Sequence, residues 1–109
     1  MDYYYAQEKL YIAIRSLATN NCTIHERILN AFMSFHTLRE EDFPDEYKED
    51  WKWIMDQITK KGPVMSEKND VLVGSVENTL AGLDNSVAVE IATKIFDIAW
   101  DLCTNEKYK

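Results

Sequence analysis

The chain has 109 residues, of which 46% are hydrophobic and 28% charged, so it is long enough for one domain with a buried core. Three glycines and two prolines are too few for the frequent turns of an all-β domain. No apolar run approaches the ~20 residues that span a bilayer, and the net charge of −7 argues against direct binding to nucleic acid or to an anionic membrane, because both attract clustered Lys and Arg.

Two amphipathic helices are predicted in the first third of the chain. Residues 2–19 carry one apolar stripe, formed by Tyr3, Ala6, Leu10, Ala13 and Leu17. Thr23 and Glu26 have the spacing of a capping box, which begins a second helix that fades near Thr37. The buried stripe of that helix is predicted to consist of Ile24, Ile28, Ala31, Phe32 and Phe35.

A third helix is expected after a charged connector, with Asp42 or Phe43 as its cap and Pro44 in its first turn. The residues predicted to face inward from it are Tyr47, Trp51, Ile54 and Ile58. The pattern leaves residues 64–74 open, because their hydrophobic end fits either a short extended piece or the entry to a helix. A short helix capped by Ser75 is expected next.

The last helix is predicted over residues 87–103 and carries two adjacent apolar stripes. The first contains Val87, Ile91, Ile95, Ile98 and Leu102, and the second contains Ala88, Ala92, Phe96, Ala99 and Cys103. So wide an apolar arc predicts that this helix is the most buried element, whereas residues 104–109 are expected to fray. Residues 1–109 therefore predict a single all-α domain, a compact bundle of four to five helices.

Negative charge is concentrated in one part of the sequence. Residues 39–56 hold eight acids against three bases, which is −5 of the total −7. Four of these acids are predicted to lie on the third helix as part of a partner-binding face: Glu46, Glu49, Asp50 and Asp56. A solvated helix face is the alternative interpretation of the same pattern.

Trp53 is the residue on which the predicted binding face depends. It lies two positions after Trp51, so the two side chains point about 200° apart on a helix and cannot both face the same core. Since Trp51 shares the inward stripe, Trp53 is predicted to be exposed, and an exposed Trp is typical of an interface hot spot. The alternative is that residues 64–74 fold back over it.

The run Tyr3-Tyr4-Tyr5 spreads aromatic rings around the first helix, so at least one of them is expected to be exposed or to lie at an interface. A contact with a second subunit would satisfy this expectation, and a homodimer is therefore left open.

No convincing catalytic or metal-binding constellation emerges from the residue spacing. Cys22 and His25 form one pair at ligand spacing, but a structural zinc site needs four ligands, so no metal or cofactor is predicted. The same pair could act as a thiol nucleophile and its base, although no third group that would orient the base is evident. With no signal peptide evident, the chain is expected to be cytoplasmic and its cysteines reduced.

The order of these signals resembles a family of small uncharacterised bacterial all-helical cytoplasmic proteins. The matching stretches include Ser16-Leu17-Ala18, Glu26-Arg27-Ile28, Glu41-Asp42-Phe43-Pro44, Gly74-Ser75-Val76 and Ala88-Val89-Glu90-Ile91-Ala92. The resemblance covers most of the chain and implies a helical fold, but it implies no particular reaction. The chain departs from the family pattern at Val71-Leu72-Val73.

These patterns favour a non-enzymatic interaction factor of accessory, immunity or regulatory type. It would bind a basic protein partner through Trp53 and the acidic third helix. Two alternatives stay open: an acidic DNA-mimic inhibitor of a nucleic-acid-binding protein, and a thiol enzyme that uses Cys22 and His25.

Overall fold

The computed structural model describes residues 2–108, with the backbone only for Leu72 and Val73. Five helices account for most of these residues: α1 (Tyr4–Thr19), α2 (Ile24–Phe35), α3 (Asp45–Ile58), α4 (Ser75–Ala81) and α5 (Asn85–Thr104). The other regular elements of the described chain are two 3₁₀ turns (Glu40–Asp42 and Glu106–Tyr108) and two short strands, β1 (Val64–Met65) and β2 (Val71–Val73). The prediction of an all-α bundle is confirmed.

Helix starts follow the capping signals to within one or two residues. The Thr23 hydroxyl accepts a hydrogen bond from the Glu26 amide at 3.2 Å, which is the cap that the sequence predicts for α2. Pro44 occupies the cap position of α3, one or two residues beyond the predicted Asp42 or Phe43. The last helix begins at Asn85 after Asp84, two residues earlier than expected.

The segment between α3 and α4, which the sequence left open, forms a small antiparallel hairpin of β1 and β2. The Ser66 amide donates to the Asp70 carbonyl at 2.7 Å and closes the turn. Asn69 occupies the left-handed region with φ 63°, a conformation that Asn tolerates better than most residues. The hydrophobic run at 71–73 is therefore the extended piece rather than the start of α4.

The core is built around α5, against which α1, α2 and α3 all pack. Six of its residues are buried: Ala88, Ile91, Ile95, Ile98, Ala99 and Leu102. On the opposite side of the core, the Trp51 ring lies 5.0 Å from Phe35 and 4.5 Å from Phe43, between centroids. This confirms the last helix as the central element, but its second predicted stripe is buried only in part.

The C-terminal 3₁₀ turn is docked on the bundle, so the expectation of a frayed tail is wrong. Tyr108 is buried, with its ring centroid 5.6 Å from Tyr3 and 6.0 Å from Tyr47. The Gln7 side-chain amide donates to the carbonyls of Leu102 and Tyr108, both at 3.0 Å. These contacts attach the turn to α1 and α3.

Candidate protein-interaction surface

Trp53 is not the exposed residue that the sequence predicts, so the predicted exposure is wrong. Its side chain is partly buried and packs against the core. The Lys94 Nζ of α5 lies 5.2 Å from the centroid of the Trp53 ring and 3.4 Å from Oδ1 of Asp50. Trp53 does point away from Trp51, but α5 passes along that side of α3, so a neighbouring helix covers the ring.

The acids predicted on α3 lie at or near the surface without gathering around an exposed ring. Glu46, Glu49 and Asp56 are exposed, whereas Asp50 is partly buried beside Lys94. Glu46 is also 3.4 Å from the Lys107 Nζ of the C-terminal turn. Two of the four acids are thus partly neutralised by lysines from other elements, which weakens α3 as an independent binding face.

The exposed tryptophan is on α5. Trp100 is 56% exposed and Phe96 is 45% exposed. Their rings stack, with centroids 5.8 Å apart and planes inclined by 15°. Val89 precedes Phe96 by two turns on the same side of the helix and is 51% exposed. We refer to Val89, Phe96 and Trp100 as the α5 stripe.

An apolar groove of about 300 Å³ runs between α1 and α5, beside this stripe. It is lined by Ile14, Leu17, Ala18, Ile24, Val89, Ala92, Thr93 and Phe96. The two helices run antiparallel and are joined at the other end by the bond from Gln7 to Leu102. Small side chains at Ala18 and Ala92 leave the space, and Thr93 donates its hydroxyl to the Val89 carbonyl rather than into the groove. We call this cavity the α1–α5 groove.

An acidic edge (Glu90, Asp97 and Asp101) follows the side of α5 that faces away from α1. Spacings of seven and four residues place these carboxylates along one line of the helix. Glu90 and Asp97 are exposed, and Asp101 is partly buried. The one lysine of α5 turns toward α3 instead, so the described surface next to the stripe combines apolar rings with negative charge.

The sequence contains a signal for this surface. Phe96 belongs to the second predicted stripe of the last helix, and its predicted burial is wrong, because Phe96 is 45% exposed. Trp100 lies outside both predicted stripes. Val89, Phe96 and Trp100 recur at seven and four residues, just outside the stripe of Ile91, Ile95, Ile98 and Leu102. A separate row of large apolar residues beside a complete buried row indicates a second apolar face.

Cys22 and His25 each have a hydrogen-bonding partner other than each other. A hydrogen bond to the Glu26 carboxylate raises the pKa of the Cys22 thiol, which disfavours the reactive thiolate. His25 Nε2 lies 2.7 Å from the Leu83 carbonyl, which can only accept, so this nitrogen carries the proton and is engaged elsewhere.

The other cysteine belongs to the packing of α5 against α1. The Cys103 thiol is partly buried, donates to the Gln7 carbonyl at 3.6 Å, and has its pKa raised by burial. Both cysteines are free thiols. Within residues 2–108, no three His, Cys, Asp or Glu side chains come together in a way that could hold a metal ion.

No family model, no curated protein and no solved structure matches the chain. In the described part of the chain, every helix is too short or too polar to traverse a bilayer.

Proposed function

We propose that this chain is a non-enzymatic interaction factor, of accessory, immunity or regulatory type, that binds another protein through the α5 stripe and the α1–α5 groove. The observation that carries the proposal is the stacked, exposed Phe96–Trp100 pair beside an open apolar groove. Contiguous exposed aromatic surface is uncommon on a monomer, and aromatic residues dominate the energetics of protein interfaces.

The proposed surface replaces the one predicted around Trp53. Because about half of each stripe residue is already covered, burial of the rest against a partner would contribute roughly half of the ~1.5–3 kcal/mol of full burial, before the cost of association. Trp53 has little such area left to offer, because α5 already covers it. The α3 acids Glu46, Glu49, Asp50 and Asp56 keep a secondary role in the proposal, as part of the field that attracts a basic partner.

The negative charge supports a basic protein as the partner and argues against nucleic acid or an anionic membrane. It raises association rates with positive partners, whereas the contact itself would be apolar. A DNA-mimic inhibitor is less well supported, because Lys94 and Lys107 interrupt the acids of α3. The free thiols fit a reducing compartment, so we propose that the protein acts in the cytoplasm.

Affinity capture from native cells tests this proposal. We expect the wild-type chain to retain at least one protein that the double variant Phe96→Ala/Trp100→Ala does not retain. Met33→Ala, which removes a residue that is 63% exposed on α2, serves as the matched control and should capture the same protein as the wild type. Equal capture by the wild type and the double variant would contradict the proposal.

A further inference from the structure

The α1–α5 groove has the shape and the surroundings of a site for a basic amphipathic helix. This inference rests on the proposed function and names the class of partner. We infer that the partner inserts an apolar helix face between α1 and α5 and places Lys or Arg side chains against the acidic edge.

The dimensions of the apolar surface suit a helix. Val89 and Phe96 are seven residues apart, which is about 10 Å along α5, and Trp100 extends the stripe to about 16 Å. Apolar residues at positions i, i+4 and i+7 of a partner helix cover the ~10 Å between Val89 and Phe96, and a further one at i+11 reaches the level of Trp100. A cleft between two packed helices also receives the side-chain ridge of a third helix, as in any helical layer.

Charge distinguishes the two flanks of the groove. The acidic edge on α5 presents Glu90, Asp97 and Asp101. The exposed charges of α1 include both signs, with Glu8 as an acid and Arg15 as a base. A helix with basic residues on its α5-facing flank would therefore find opposite charge along its whole length, on a chain of net charge −7.

The same charges disfavour the other occupants. A second copy of this chain would bring another net charge of −7 and the same acidic edge to the contact. A membrane-binding stripe needs Lys or Arg beside its apolar residues, whereas this stripe has acids beside it. The charge pattern thus selects a basic partner over a homodimer or a lipid surface.

Binding of synthetic peptides to the full chain tests the inference. The first peptide is a basic amphipathic helix with Leu at i, i+4 and i+7 and Lys on one flank. The second has the same composition in scrambled order, and the third carries Glu in place of Lys. By fluorescence anisotropy of the labelled peptides, we expect the first peptide to bind at least tenfold more tightly than either control, and less tightly as salt is raised.

Variants of the protein locate the site. Phe96→Ala/Trp100→Ala should weaken binding of the basic peptide at least tenfold. Glu90→Lys/Asp97→Lys should weaken it to a similar extent. The matched control, Glu67→Lys/Asp70→Lys, makes the same change of net charge at two exposed acids in the loop between β1 and β2, and it should change the affinity less than threefold. A larger effect of this loop pair would overturn the assignment of the site.

Further outcomes separate this inference from the proposed function. Equal affinity for the basic and the scrambled peptide would overturn the inference, and so would binding that the stripe variants leave unchanged. A dimer in sedimentation equilibrium that Trp100→Ala converts to monomer would show that a second copy occupies the groove, which also overturns it. If capture from cells still depends on the stripe in any of these cases, the proposed function stands and only the class of partner is wrong.

Discussion

Two tryptophans, Trp53 on α3 and Trp100 on α5, occupy similar positions on their helices but differ in their exposure in the folded bundle. Each lies outside the main buried stripe of its helix. Trp53 is covered because α5 passes beside it and places the Lys94 side chain over the ring. Trp100 lies on the outer side of α5, where the described chain supplies only the Phe96 ring as a stacking partner. Exposure is thus decided by where the next helix runs.

The comparison separates a residue that stabilises the monomer from one that remains available to a partner. The Trp53 ring connects α3 to α5 within the bundle. More than half of the surface of Trp100 is exposed to water, beside an open groove. Substitution of Trp53 should therefore mainly reduce stability, and substitution of Trp100 should mainly reduce binding.

The largest expected effect on stability in this comparison is at Trp53. Trp53→Ala should lower the free energy of unfolding by about 2 kcal/mol, which is less than the loss for a fully buried Trp because the ring is only partly buried. Trp100→Ala, its matched control, should stay within about 0.5 kcal/mol of the wild type. Chemical denaturation measures both. An equal loss of unfolding free energy in the two variants would contradict the distinction between Trp53 and Trp100.

A smaller effect is expected at Lys94, which covers the Trp53 ring. Lys94→Ala should reduce stability by about 0.5–1 kcal/mol, because the cation–π contact is lost. It should also increase acrylamide quenching of Trp53 fluorescence, measured in a Trp100→Phe background. Lys94→Met keeps most of the aliphatic cover, so quenching should stay near the wild-type level. Unchanged quenching in Lys94→Ala would mean that Lys94 does not cover the ring.

The smallest effect concerns the exposed ion pair at the start of α3. A hydrogen bond to Lys48, at 2.8 Å, lowers the pKa of Asp45. Because the folded-state pKa is the lower one, the pair stabilises the fold above the unfolded-state pKa, and this contribution is lost as the pH falls through the folded value. Lys48→Met should therefore lower the denaturation midpoint slightly at neutral pH, and the difference should disappear in strong acid. A difference that persists in acid would show that Lys48 acts through packing.

Local signals in the sequence predicted the helices well. The cap at Thr23 and the apolar periodicity placed α2 and the core of α5, since these features depend on residues within a turn or two of each other. The pattern also allowed an extended conformation for residues 71–73, and these residues form β2. Caps and periodicity act within one helix, so they cannot tell which side of it a neighbour will cover.

The candidate site depended on contacts between distant residues, and there the sequence was less informative. Trp53 is covered by a lysine 41 positions later, and Tyr108 is buried by docking against Tyr3 and Tyr47. Phe96 belongs to an apolar arc that is wider than its neighbours can cover. The helices that carry Trp53 and Phe96 were predicted correctly, whereas the turn that carries Tyr108 was predicted to fray. The exposure of all three side chains depends on the packing of the whole bundle.

The α1–α5 groove has one wall from the first helix and one from the last. Its two sides therefore meet only when residues 14–18 and residues 89–96, which are 71 to 82 positions apart, have come together. A partly folded chain, with α2 to α4 assembled but α5 still undocked, would present no groove. Recognition at this cleft would consequently report that the molecule had finished folding, and a partner that binds there would hold the two remotest helices together.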